Sequence, residues 1–470
     1  MNWNNVRFLL LFAACLVRPQ IAGAQDDSSA FSSCVPACDQ AYEKAQGVLT
    51  ADVQNGKFLA GQNWPQVWTR DTSYSTELAC ALLHPDVAKT TLLGLTQSVD
   101  GIGECWYQDV CGHFGGWPHL TDAIVGAGGM WSLYQVTGDR TLLRPLYDRT
   151  VRSLQRAERD AFNPKIGLFS GCASFMESDS AYPQKYANNG AALDNTYDLS
   201  TCLLYYQGYV VAADVGQLLG EPVRPLREKA ARLKDAINTR LWLPEEGYYG
   251  YFMDENGDLN PRMEGLGEAL AVLTGVASPK RADQLLRSTP TSLWGFPCLW
   301  PQFAEWRDYQ RNDAFYYHNG MIWPFVEGYW AWAASRMKNQ EVFGRELDAL
   351  IRLSEKNDTF MEFYHPEDGK PDGSPRQLWS ASGFLSMIYH GLFGMDFETN
   401  GIRFAPVVPP QFEFGPLSLK NVKYRNDRLN IVIRGHGTTI DTFKLDGKIQ
   451  TNPFFAASNS GDHQIEITMK

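Results

Sequence analysis

The sequence predicts a mainly α-helical fold: a toroid of helical hairpins in two concentric layers, followed by a small β-sandwich. Three observations predict it. From about residue 41 to 395, apolar residues recur at helical spacing in long stretches separated by Gly-, Pro- and aromatic-rich loops. Within that span, helices that are apolar nearly all round, as in Met321 to Ala334, alternate with amphipathic ones, as in Glu341 to Leu353. A helix apolar on every side is buried and one with a polar face is half-exposed, so the alternation describes an inner ring wrapped by an outer one. Near residue 396 the texture then changes to short polar–apolar alternation with Gly, Asn and Asp turns.

In chain order, residues 1–24 read as a secretory signal. Arg7 supplies the positive start, Phe8 to Val17 the apolar stretch, and Ala22-Gly23-Ala24 the small-x-small cleavage site. The stretch is too short to span a bilayer. Cleavage, export to a secreted or periplasmic location, and no membrane attachment afterwards are expected. Residues 25–44 form a Ser- and Asp-rich entry segment, 45–395 the helical domain and 396–470 the β domain. Leu199, Cys202, Leu203, Tyr206, Val210 and Ala213 mark one inner helix, and Pro225 to Leu241 is a charged amphipathic partner. Glu264 to Gly275, Arg281 to Leu286, Gly320 to Ser335 and Gln340 to Leu353 continue the alternation. Leu429 to Ile433 and Ile465 to Met469 read as strands.

Composition narrows the function. With 53 acidic against 42 basic residues, the chain carries a formal charge of −11 and no basic run, which argues against phosphate backbones and anionic membranes as partners. Its 14 Trp, 21 Tyr and 25 Phe would serve a core or a sugar cleft, where flat rings cover pyranose faces. Cys15 leaves with the signal. The other eight cysteines (Cys34, Cys38, Cys80, Cys105, Cys111, Cys172, Cys202 and Cys298) suggest structural disulfides in an exported chain rather than a metal site. Asn357-Asp358-Thr359 is an acceptor sequence for N-glycosylation. No cofactor or metal is called for.

Five loop segments carry the candidate chemistry. Gly61 to Asp71 sets the Arg70-Asp71 pair beside two tryptophans, Trp64 and Trp68. Such a pair reads neighbouring hydroxyls, although Asp71 would also suit a helix N-cap. Trp106-Tyr107-Gln108-Asp109 and His113 to His119, with Trp117, crowd aromatic and polar groups together before a helix. Ser174 to Pro183 places Glu177 and Asp179 in a long loop, with Asp194 and Asp198 beyond. Tyr316 to Pro324 brings His318, Asn319 and Trp323 to the start of an inner helix. Phe360 to Gly369 sets Glu362 among aromatics, the surroundings that tune a carboxyl's protonation, and Gln377 to Gly383 adds Trp379. Glycoside cleavage needs one carboxyl to protonate the leaving oxygen and another to activate water or attack carbon. The candidates are Glu177, Asp179 or Asp194 on one side and Glu362 on the other.

These segments, in this order, resemble the six-hairpin glycosidase superfamily, near glycoside hydrolase family 63 and its mannosylglycerate-hydrolase-like and glycogen-debranching-like members. Trp68-Thr69-Arg70-Asp71 is similar to a Trp-x-Arg-Asp signature of that group. Glu264 to Ala269, His318-Asn319-Gly320-x-x-Trp323-Pro324 and Gln377 to Gly383 look like further signatures. The resemblance covers about residues 45–460. It implies an (α/α)6 barrel with its active site at the wide end and an inverting mechanism. It implies Glu362 as the base and Arg70 and Asp71 as ligands of the sugar that is cleaved. The acid's place reads Phe175-Met176-Glu177, which makes Glu177 the first choice, with Asp179 and Asp194 as alternatives.

The function expected is that of a secreted exo-acting glycoside hydrolase that removes a terminal, α-linked glucoside-like residue from an oligosaccharide or glycoside. Inversion requires the two carboxyls ~6.5–9.5 Å apart. Three other readings make different demands. A sugar epimerase or isomerase would use His318 and His365 as its acid and base. A uronate lyase would need a basic cleft, against the acidic balance. A non-catalytic carbohydrate-binding protein would keep the aromatics without needing Glu362.

Overall fold

The computed structural model describes residues 29–110, 112, 114–307 and 313–470. The expected signal, Cys111 and His113 lie outside these residues.

Twelve principal helices make six inner–outer pairs. The outer members are α1 (Pro36–Ala51), α3 (Pro85–Gly94), α5 (Leu143–Asp160), α7 (Arg224–Arg240), α9 (Pro279–Ser288) and α11 (Gln340–Lys356). The inner members are α2 (Thr69–Ser75), α4 (Gly126–Thr137), α6 (Leu199–Leu219), α8 (Gly265–Leu273), α10 (Pro324–Arg336) and α12 (Leu378–Ser386). Helix α2 runs on through a π-helical stretch, Thr76–Cys80, and α12 through another, Met387–Leu392. Each inner helix packs on the next, and α12 closes back onto α2, so the ring is complete. This is an (α/α)6 barrel.

The burial pattern explains the layers. All seven residues of α2 and all nine of α12 are buried, whereas α7 buries only Ala230, Leu233 and Ile237. Small residues let the inner helices approach closely. A Cβ on Gly328 of α10 would lie 2.6 Å from the backbone of Gly383 on α12, so this crossing needs glycine. Helix bounds follow the sequence pattern to within a few residues. At the N-terminal side, the expected 25–44 segment contains a strand, β1 (Ala30–Ser32), and the start of α1.

The C-terminal region holds two sheets. The smaller joins β2 (Met395–Glu398), β3 (Gly401–Phe404) and β8 (Phe454–Ala456). The larger contains β4 (Leu417–Tyr424), β5 (Asp427–Arg434), β6 (Ile440–Leu445), β7 (Lys448–Ile449) and β9 (Gly461–Met469), in the order β1-β4-β5-β9-β6-β7. Only β5 and β9 run parallel, and β1 completes the edge from the other end of the chain. Strand alternation places Leu429, Ile431 and Ile433 inward. Tyr424 against Phe455 and Phe404 against Phe443 tie the two sheets.

The disulfides expected from the cysteine count are corrected. The seven described cysteines are free thiols. All but Cys34 are buried, and they behave as small apolar side chains in helices, a strand and loops alike. Cys202 donates to the Phe169 carbonyl and Cys298 to that of His318, and burial pushes the Cys80 thiol up to about 12. Among the described residues, no helix is long and apolar enough to cross a membrane.

Candidate active site

All six inner helices begin at the same end of the ring, and the five loop segments meet there. Backbone N–H groups at helix starts favour negative charge, and this end gathers carboxyls. Helix α2 has no side-chain cap of its own. Asp109 caps it from another loop, accepting from Thr69 N at 3.0 Å and Arg70 N at 3.3 Å. Glu264 accepts from Ser200 N at 2.9 Å in the first turn of α6, and Asp122 precedes α4. Asp71 therefore does not cap its helix. It points across the ring to α12, where Gln377 Nε2 donates to Oδ1 at 3.5 Å, and its Oδ2 has no hydrogen-bond partner among the described residues.

Arg70 is the centre of charge. It is 1% exposed. Its guanidinium reaches Glu177 Oε1 at 3.4 Å through Nη2 and Asp122 Oδ2 at 3.5 Å through Nε. Asp122 is fixed in turn by Gln108 Nε2 at 3.0 Å and Ser174 Oγ at 3.2 Å. Glu177 follows Phe175, whose φ of 61° turns the loop sharply under the barrel mouth. The Glu177 carbonyl accepts from Phe114 N at 3.2 Å, so Phe114 lies against it.

Glu362 is held differently, by neutral donors. Its Oε2 accepts from the Trp64 indole at 2.9 Å and from Ser374 N at 2.7 Å. Gly373, at φ 74°, makes room, because a Cβ there would sit 2.5 Å from that oxygen. Burial pushes the Glu362 carboxyl up to about 7. The two donors oppose the rise, and the charge of Glu177 adds to it. Burial also holds Asp71 well above the usual carboxylate range; Arg70 opposes this, and Asp109, Glu362 and Glu177 add to it. Asp109 is raised to about 6 by burial, again against Arg70. Carboxyls from four chain segments thus share one electrostatic neighbourhood around a single guanidinium.

Aromatic rings form the wall. Trp379 stacks on Phe325 at 4.2 Å, Trp323 on Phe363 at 5.0 Å, and Trp68 leans on Trp64 at 5.9 Å. His318 is buried between Trp323 and Phe175, with Nδ1 sharing a hydrogen bond with Ser178 Oγ at 2.9 Å. Burial, with the Arg70 charge second, holds this imidazole well below its usual range. His318 thus sits buried beside the Glu177 loop with its charged form disfavoured. His365 is engaged by Asp313 at 3.1 Å and by its own turn, so the pair an isomerase would need is already committed elsewhere.

A sequence profile of the mannosylglycerate hydrolase MGH1-like glycoside hydrolase domain matches residues 120–380. The chain belongs to this family. It is 24% identical over 191 residues to the mannosylglycerate hydrolase of Rubrobacter radiotolerans, covering 38% of this chain and 40% of that protein. It is 28% identical over 169 residues to neutral/alkaline invertase 1, mitochondrial, of Oryza sativa subsp. japonica, covering 31% of this chain and 25% of that one. The matches to both relatives thus span less than half of their length. The fold is similar to that of the GH63 mannosylglycerate hydrolase from Thermus thermophilus in complex with Tris, at a TM-score of 0.59 and 16% identity over 74% of this chain and 99% of that one. Residues 120–380 are thus a glycoside hydrolase domain of the MGH1-like type.

Several expected site residues lie outside this constellation. Trp106 is core: its ring fills the space beside Gly126 and its indole donates to Thr150 on α5. Trp117 packs under Arg156 at 3.8 Å and donates to Asp160, both on the outer helix α5. Asn319 staples a loop through Phe303 and Ala314. Asp194 pairs with His119 at 2.6 Å in a half-exposed position, and Asp179 accepts from Asn188 N at 2.9 Å as it opens a short 3-10 turn. Conversely, Trp64 and Ser374 hold Glu362, Asp109 holds the start of α2 and Gln377 meets Asp71. Trp64, Asp109 and Gln377 fall within the loop segments read from sequence. Asp122 had no signal beyond an acid ahead of a Gly-rich helix.

Proposed function

We propose that this glycosidase is an exported, exo-acting enzyme that removes a terminal, α-linked glucoside-like residue from an oligosaccharide or glycoside with inversion. Glu177 protonates the leaving oxygen and Glu362 deprotonates a water on the opposite face of the ring. The observation that carries this reading is the unequal support of the two carboxyls. The Glu362 oxygen Oε2 is occupied by two N–H donors, so Oε1 takes the water's proton. Glu177 lies against Arg70, whose charge stabilises the carboxylate left once the proton is given up.

Depth supports exo action. Glu177 is 8% exposed and Glu362 3%, with Asp71 buried beside them, so the site suits the end of a chain better than its middle. Arg70 and Asp71 bind the hydroxyls of the cleaved sugar, and Trp379 and Trp68 offer apolar faces. Export rests on the signal-like residues 1–24, and N-terminal sequencing of the extracellular protein is expected to begin at Gln25.

The test is hydrolysis of a panel of α- and β-linked oligosaccharides and glycosides, including mannosylglycerate and sucrose because the two relatives are named for acting on a mannoside and as an invertase. Release of one terminal sugar, abolished by Glu362→Gln and by Glu177→Gln, is expected. Near-normal turnover in either folded variant would remove that residue from the mechanism. A silent panel with sugar binding intact would favour the carbohydrate-binding reading.

A further inference from the structure

At the opposite end of the ring, where the inner helices finish, lies a cavity of about 270 Å³. All six inner helices, or their continuations, contribute to it, through Glu77, Trp131, Gln207, Leu273, Trp332 and His390. None of the site carboxyls reaches it. An engineered apolar cavity of ~150 Å³ takes up benzene, so this volume suits a body somewhat larger than one ring.

Three features distinguish it from a packing defect. The two π-helical stretches described in the barrel, Thr76–Cys80 and Met387–Leu392, contribute to its walls, and such turns are rare and frequently found at functional sites. Its faces are aromatic: Trp332 lies flat on His390 at 4.0 Å, and Trp131 stands on α4. Its single buried acid, Glu77, is 8% exposed, and Oε1 has no hydrogen-bond partner among the described residues.

The charges are unbalanced. Glu77 is faced by Gln207 from α6, Tyr329 from α10 and Tyr74 from its own helix, all uncharged, while Gly128 of α4 presents only backbone. His390, which contacts the Glu77 carbonyl, is kept below its usual range by burial. Arg336, the cation on the wall, is paired with Asp396 at 3.2 Å. We infer that this cavity is a second ligand site that takes a small organic cation, an ammonium group on an aromatic or aliphatic body of about one ring. Its charge meets the Glu77 carboxylate while Trp131 and Trp332 cover the body, as cations do over aromatic faces.

The probe is benzyltrimethylammonium, whose charge does not vary with pH, titrated into the full chain by tryptophan fluorescence and calorimetry. Benzyl alcohol and glucose serve as neutral comparators. Saturable one-site binding is expected at pH 8, at least tenfold tighter than benzyl alcohol. Burial pushes Glu77 up to about 7, so affinity should rise ~10-fold from pH 6 to pH 8 as the carboxylate forms. Glu77→Gln should weaken binding at least tenfold. Val210→Trp, which fills the cavity from α6 without touching a charge, should abolish binding even if the first variant folds poorly. Equal affinity for benzyl alcohol, unchanged binding in folded Glu77→Gln, saturation by glucose alone, or no saturation by the ammonium would each overturn the inference.

Discussion

The six inner helices start at one end of the barrel and finish at the other, and the two ends treat buried carboxyls in opposite ways. At the starting end, Asp71, Asp109, Asp122, Glu177 and Glu362 crowd around Arg70, helix N-termini and indole or backbone N–H donors. At the finishing end, Glu77 stands among uncharged aromatic and amide groups, where helix C-termini add negative potential. The difference teaches that burial alone raises a carboxyl, as it does for both Glu77 and Glu362, each to about 7. What sets the starting end apart is a set of oriented donors and one cation among several acids.

The largest effect expected is on turnover. Glu362→Gln and Glu177→Gln should each lower kcat ~10³-fold or more, since loss of a positioned acid or base typically removes 10²–10⁴ and the remaining carboxyl is left without its complement. Steady-state kinetics on the substrate found by the panel would check this. An equally large loss from Asp194→Asn, at the half-exposed pair with His119, would break the assignment.

Removing the guanidinium should make the starting end resemble the finishing one. Arg70→Met leaves Glu177 and Asp122 buried without their cation, and unpairing buried charges costs about 3–5 kcal/mol. Denaturant unfolding at pH 7 should register that loss. No change in stability would contradict the central role of Arg70.

The finishing end should show the reverse dependence on charge. Glu77 is raised from 4.5 to about 7 in the folded chain. Its contribution is fully present below the unfolded value and is lost as pH rises through the folded one. Glu77→Gln should therefore gain on the natural chain between pH 5 and pH 8, by up to about 3 kcal/mol. A parallel pH profile for the two proteins would contradict this.

A smaller effect separates support from chemistry. Trp64→Phe removes a donor that favours ionised Glu362, so the carboxyl should rise further. A base must be ionised to act, and the acidic limb of kcat/KM should move to higher pH by about one unit, with the plateau little changed. An unmoved limb would reduce Trp64 to a packing role.

The ring was legible in the sequence because an inner helix and an outer one differ in composition all round, as α10 and α11 do, and this pattern survives without any partner being known. The buried setting of Glu362 was legible for a local reason, a carboxyl alternating with aromatics. The charge network was less so. Asp109 lies 39 residues from the Arg70 it caps, and Trp64 is 298 from Glu362, so only the folded ring brings them together. Trp106 and Trp117 misled because an aromatic beside glycine looks the same in a core as in a cleft. The even cysteine count misled because a buried free thiol leaves no spacing signal. The π-helical turns that shape the far cavity have no periodic signature distinct from the helices they interrupt.

Inversion depends on two carboxyls acting from opposite faces of one sugar. Proton NMR of the first product formed from an anomerically pure substrate tests that directly. The inverted anomer should appear first and then mutarotate, with no signal from Glu362→Gln. First appearance of the retained anomer would require a covalent intermediate, and would contradict both Glu177 as the acid and Glu362 as the base of a single displacement.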